Sequence, residues 1–242
     1  MMPLLRRTSK AKDSPTRSWS DTGAPTSPCG TSAQPLRDLR LSWNKLGDDH
    51  RARQDWDAAL DAYTEGKKIA DEIVKRFGPA YQPLRDLGIS WDKLGAWDKL
   101  GDGHAALEDW DAALGAYTES KSLRDEIVTQ FGRTYQPLHD LADSWSKLGD
   151  VHVKRLDLVE AFTAYIEDEK LRDEIVKGFG RAYEPLRALF VSHWKLGYLT
   201  QSCERLQVAR ELSDEILARF PGSIEAVRDR QILDQVIRDL GC

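Results

Sequence analysis

From Leu36 onward, apolar side chains advance by threes and fours: Leu36, Leu39, Trp43 and Leu46, with His50 continuing the series. That spacing places them on one face of an α-helix. Pro35 suits the first turn of such a helix, where its missing N–H is not needed. A second series, Leu60, Tyr63, Ile73 and Phe77, lies in a segment that opens at Asp55 or Asp57 and stops at Gly78. Either aspartate fits an N-cap and the glycine fits a C-terminal stop, so the pattern predicts two helices joined by a short turn.

The pattern repeats. QPLRDLRLSWNKLGDDH from Gln34 returns as QPLRDLGISWDKLG from Gln82, QPLHDLADSWSKLGDVH from Gln136 and EPLRALFVSHWKLG from Glu184, with starts 48, 54 and 48 residues apart. The downstream halves from Asp55, Asp109 and Asp157 match as well. About four units result, at 34–81, 82–135, 136–183 and 184–222, followed by a capping helix within 223–242 whose apolar positions are Ile224, Val227, Ile232, Val236 and Leu240. No one unit can bury its apolar face alone, so stacking must do it, and the last face needs a cap.

Two units depart from the period. The second holds an extra hexamer, the doubled phrase SWDKLGAWDKLG, in which Trp91 keeps the upstream spacing and Trp97 the downstream one. Six residues at ~100° each leave a helix about 120° out of phase, which predicts a break near Gly95 and exposure of one of the two tryptophans. In the fourth unit Asp214 follows Gly197 by 17 residues, whereas Asp173 follows Gly149 by 24. A loss of seven is close to two turns, so it shortens a helix and keeps its face.

Gly47, Gly101, Gly149 and Gly197 stand inside the first helix of each unit, where glycine is ~1 kcal/mol worse than alanine. Twelve residues after each comes an alanine, Ala59, Ala113, Ala161 or Ala209. Small residues facing one another would let the paired helices approach closely. Trp43, Trp97 and Trp145 are the expected core anchors.

The series Trp43, Leu46, Gly47, Ala59, Tyr63 resembles the tetratricopeptide repeat pattern W-x2-L-G-x2-Y, A-x3-F, and it recurs at Trp97, Leu100, Gly101, Ala113, Tyr117 and at Trp145, Leu148, Gly149, Ala161, Tyr165. The period is 48 rather than the usual ~34, similar to long-period arrays of bacterial regulatory proteins. His50, His104 and His152 replace the family tyrosine, and His193 stands at the fourth tryptophan position. The resemblance implies an all-α, right-handed α-solenoid of helix-turn-helix repeats whose first helices line a concave groove. The side chains placed there are Asn44, Asp98, Ser146 and Trp194, one residue after the tryptophan position, and Asp48, Asp102, Asp150 and Tyr198, five after it, with Arg51 at one end.

Charge narrows the partners. Residues 1–33 are rich in Ser, Thr, Pro and Gly, lack an apolar period and carry five basic against two acidic side chains, which leaves 30 basic and 38 acidic for the rest. The tail reads as disordered. An acidic body with interspersed charge disfavours nucleic acid, and no apolar run reaches the length of a membrane span or leader. Cys29, Cys203 and Cys242 form no metal-type pair and read as free thiols of a cytoplasmic chain, with a bridge between Cys203 and Cys242 as the alternative.

No nucleophile elbow, phosphate loop or zinc motif occurs, so neither metal nor cofactor nor catalytic residue is assigned. The three repeat histidines read as structural rings bonding a neighbouring helix, because helices ~8–10 Å apart do not suit a shared zinc ion; contact with a substrate is the alternative. The expectation is a non-enzymatic scaffold or adaptor that binds a peptide or helix of another protein, with basic residues meeting the aspartate ladder. Its rivals are a regulatory subunit whose enzyme lies on another chain, and a hydrolase built on the histidine row.

Overall fold

The computed structural model describes residues 33–77 and 98–242, and these contain helices and no strand. The helices are α1 (Gln34–Ala52), α2 (Trp56–Phe77), α3 (98–106), α4 (Trp110–Phe131), α5 (Tyr135–Arg155), α6 (Leu158–Phe179), α7 (Tyr183–Thr200), α8 (Cys203–Arg219) and α9 (Ile224–Leu240). Each unit is an antiparallel hairpin, and successive hairpins stack as an α-solenoid with α9 packed on α8. The expected break near Gly95, the exposure of Trp91 or Trp97 and the disordered tail fall outside the described residues.

The hairpin turns share one device. The turn between the two helices holds a residue with positive φ, namely Gln54, Glu108, Leu156 or Gln201, and the residue after it immediately precedes the second helix. Asp55, Asp109 and Ser202 there accept a hydrogen bond from the backbone N–H three residues on, at 3.3, 3.2 and 3.4 Å, which satisfies one orphan donor of the new helix. Between units, Gly132 and Gly180 supply positive φ without a Cβ clash.

The repeat glycines face a different partner from the one expected. A Cβ on Gly47, Gly101 or Gly149 would collide with the ring of Tyr63, Tyr117 or Tyr165, sixteen residues downstream. The alanines are fully buried, but it is the tyrosine ring that requires glycine. These tyrosines, not the tryptophans, are the large buried anchors: Tyr63, Tyr117 and Tyr165 are buried, while Trp43 and Trp145 are half-buried. At Gly197, Leu206 takes the place of the ring.

The seven missing residues of the fourth unit come from both helices of its hairpin rather than from one. From the repeat glycine to its end α7 is three residues shorter than α5, and from its start to the repeat aspartate, Asp214 or Asp173, α8 is four residues shorter than α6. The closing bond moves accordingly: the N–H after the positive-φ residue reaches His152 O in the third unit but Gly197 O in the fourth, both at 2.9 Å. Removing about one turn from each antiparallel helix keeps their registry.

The cap also differs in phase from expectation. α9 buries Ala226 and Leu233, with Val236, Ile237 and Leu240 partly covered, whereas Ile224, Val227 and Ile232 point outward. The ion pair of Arg187 with Asp229 (2.8 Å) and the packing of Phe220 fix the rotation that the apolar pattern alone left open. A disulfide between Cys203 and Cys242 ties the end of the chain to the start of α8. This corrects the free-thiol reading of both cysteines and removes the cysteine argument for a cytoplasmic setting, since structural disulfides belong to oxidising compartments.

Candidate functional site

The aspartate ladder of the first helices is built into the junctions between units. Asp48 accepts hydrogen bonds from Tyr63 Oη (2.9 Å) and Lys99 Nζ (2.7 Å). Asp102 accepts from Tyr117 Oη (2.7 Å) and Lys147 Nζ (2.9 Å). Asp150 accepts from Tyr165 Oη (2.5 Å) and Lys195 Nζ (2.7 Å). In each case the tyrosine belongs to the same unit and the lysine to the next, and the lysine also lies 5.0–5.8 Å from the centre of the tyrosine ring, within cation–π range. Two hydrogen bonds and a cation over an aromatic face therefore clamp each unit to its successor.

The clamp shifts its members in opposite directions. Burial, followed by the bond to Asp48, raises the Tyr63 hydroxyl above its ordinary value. Burial and the adjacent carboxylate do the same to Tyr117 and Tyr165. Burial raises Asp48, but the bonds from Lys99 and Tyr63 outweigh it and leave that carboxyl below its usual range. A tyrosine whose folded pKa exceeds its unfolded value of ~10 contributes stability that is whole below that pH and lost as pH rises above it. Alkaline titration should show tyrosinate absorbance from these three rings arising together with loss of helix; ionisation of all seven tyrosines before any unfolding would contradict the clamp.

The other proposed groove residues fall into separate settings. Asp98 is taken up by Arg124 (2.6 Å) and Ser120 (2.7 Å) inside the second hairpin. Arg124 is itself buried and also bonds Ser144 of α5. Its counterpart Arg172 is buried too, spanning Asp168 (3.0 Å) and Asp143; burial raises Asp168 despite that guanidinium. Asn44 packs against Gly66 of α2, Ser146 bonds Lys195 (2.8 Å), and Arg51 stands 3.6 Å from Asp48. Trp194 is half-buried against Phe190, and Tyr198 is exposed at the last unit.

Two members of the ladder do share a surface. Asp102 and Asp150 line a groove of about 320 Å³ with Tyr117, Lys147, Val151 and Lys154. Its charges are balanced, two carboxylates against two ammonium groups. The lysines of the clamp were not singled out in the sequence, although Lys99, Lys147 and Lys195 recur two residues after each tryptophan position.

The repeat histidines each serve their own turn. Nδ1 of His50, His104 and His152 lies 3.5, 3.3 and 3.5 Å from the carboxylate of Asp55, Asp109 and Asp157, and the backbone N–H of the same aspartate bonds the histidine carbonyl. His139, Asp140 and Asp143 bring ligand atoms within 4.8 Å of one another. Asp143 is already neutralised by the buried Arg172 and Asp140 accepts from Gln136 at 2.8 Å, so these partners account for the cluster.

Stacked helical hairpins clamped through their first helices define a helical-repeat protein. No protein-family model matches the sequence, and no curated protein matches it either. Among solved structures, the chain is similar to a Podosopora anserina protein named for kinesin light chain and nearly identical TPR-like repeats: TM-score 0.52 and 13% identity over 85% of this chain and 93% of that one. A second crystal structure of that protein gives a TM-score of 0.51 at 14% identity, over 85% and 94%. The chain thus has the fold of a TPR-like α-solenoid. Among the described residues, no helix is long and apolar enough to cross a membrane.

Proposed function

We propose that this chain is a non-catalytic interaction scaffold that binds a peptide or helix of another protein along its first helices. The observation that supports this most is the groove that Asp102 and Asp150 line together with Tyr117, Lys147 and Lys154. The fold supports the general class, since extended repeat surfaces serve recognition. A basic partner is the narrower form of the reading: its cations would compete with Lys147 and Lys195 for oxygens already bonded at 2.7–2.9 Å. Binding would then be modest and salt-sensitive.

The test is selection from an unbiased peptide library on the full chain, followed by titration of the winners. Asp102→Asn with Asp150→Asn should weaken them at least ~10-fold, about 1.4 kcal/mol, while circular dichroism stays helical. Winners without basic residues would remove the basic partner and keep the scaffold. If no selected peptide responds to the double substitution, this groove is not the binding surface.

A further inference from the structure

The first helix of each unit presents the same apolar positions, yet they are covered only where another unit precedes. Leu141 and Leu148 of α5 are both 5% exposed; their counterparts in α1, Leu39 and Leu46, are 49% and 42% exposed. In α5, Leu141 shares a buried cluster with Val128 of α4 and with Leu171 and Ile175 of α6, and Leu148 shares one with Ala113 and Tyr117 of α4 and Ala164 of α6. A groove of about 470 Å³ between α1 and α2 is lined by Trp43, Leu46, His50, Ala58, Asp61 and Glu65; its counterpart at Trp145, Leu148 and His152, where α4 precedes, is narrowed to about 250 Å³.

Two charges define what fits there. Lys45 is the counterpart of Lys99, Lys147 and Lys195, each of which holds the ladder aspartate of the unit before it; Lys45 has no such carboxylate among the described residues. Above Trp145, Lys121 of α4 sits 4.4 Å from the ring centre. Where the fourth unit has His193 instead of tryptophan, the residue at the position of Lys121 is Glu169, 3.4 Å from the imidazole. The preceding helix thus supplies a cation to an indole and an anion to an imidazole, and α1 offers the indole of Trp43.

We propose that the outer face of α1 is a docking site for a helical hairpin on another polypeptide. Its second helix carries small, aromatic and basic residues in the spacing of Ala113, Tyr117 and Lys121, and its first helix brings a carboxylate to Lys45. The C-terminal end of a second copy does not meet this description: α9 covers α8, and the ladder position there is Tyr198 rather than aspartate. Residues 1–32 have no apolar period with which to supply such a helix. This surface is separate from the groove at Asp102 and Asp150.

A fluorescein-labelled peptide of residues 98–131, which contains Asp102, Tyr117 and Lys121, serves as the probe, titrated with the full chain and read by anisotropy. The expected result is saturable binding with a Kd of ~10–100 µM, weakened at least ~10-fold by Leu46→Asp in the chain and by Lys121→Glu in the peptide, and unchanged by Asp102→Asn with Asp150→Asn in the chain. Leu39→Asp repeats the test should Leu46→Asp disturb folding. Absence of saturation, or indifference to both leucine substitutions, overturns the proposal. So does sedimentation showing a self-associated chain that Leu46→Asp dissociates, which would assign the face to a second copy, or binding that emerges only after residues 1–32 are deleted, which would assign it to the tail.

Discussion

Replacing Tyr165 with alanine is expected to destabilise the protein by about 3–5 kcal/mol, the range for removing a large buried aromatic side chain. Tyr165 is buried against Gly149, and its hydroxyl bonds Asp150 at 2.5 Å. Phenylalanine at the same position keeps the ring and loses only the hydroxyl, leaving Asp150 with Lys195, so it should lose about 1 kcal/mol. Trp145→Ala should fall below Tyr165→Ala because Trp145 is half-buried. Gly149→Ala gains ~1 kcal/mol in helix propensity but drives a methyl group into the Tyr165 ring, and overpacking of ~1–3 kcal/mol should prevail. Urea unfolding of the four variants checks the order; Tyr165→Ala unfolding like the parent would show that the ring is not an anchor.

The second large effect concerns the C-terminal clasp. The Cys203–Cys242 bond closes a loop with a sequence separation of 39, and opening it should lower stability by about 2–4 kcal/mol. The loss should centre on α9, which packs chiefly on α8 and buries few side chains, Leu233 and Ala226 foremost. Thermal unfolding with and without reductant measures this. Cys242→Ser should reproduce the reduced behaviour and make the protein indifferent to reductant. A parent that melts identically under both conditions would show that the bridge holds nothing.

Much of the fold was legible because the chain states it three or four times. The period, the two-helix unit and the aspartate that opens the second helix follow from positions that recur in register, and the terminal cap from the apolar spacing after the last unit. What escaped depends on relations between units or on choices that spacing leaves open. The partner of Asp48 is Lys99, 51 residues away, so the ladder looked like unpaired negative charge when each unit was read by itself. Spacing offered Gly149 both Ala161 and Tyr165 as partners, and packing makes the ring the neighbour. α9 has enough apolar residues to support two rotations, and Leu233 with Ala226, joined by Arg187–Asp229, selects one. Cys203 and Cys242 carry no local motif; they meet because α8 and α9, each of 17 residues, pack together with Cys203 opening the one and Cys242 following the other.

The candidate surface was legible as positions and not as chemistry. Asp102 and Asp150 were placed on the first-helix face and do line one groove, whereas Asp98, from the same face by spacing, is taken by Arg124. Arg124 and Arg172 are the buried charges that spacing gave no reason to place inside. Their counterpart in the first unit is Ala70, also buried, so the site accepts either a small residue or a guanidinium held between hairpins.

The central claim is that stability passes from unit to unit through the tyrosine–aspartate–lysine clamps rather than through one shared core. Residue-level hydrogen exchange of the native protein, compared with Asp150→Ala, tests it most directly. Asp150 joins α5 to α6 through Tyr165 and to α7 through Lys195, so protection should fall in α5–α8 and stay at parental values in α1 and α2. An equal loss of protection in every helix would contradict it.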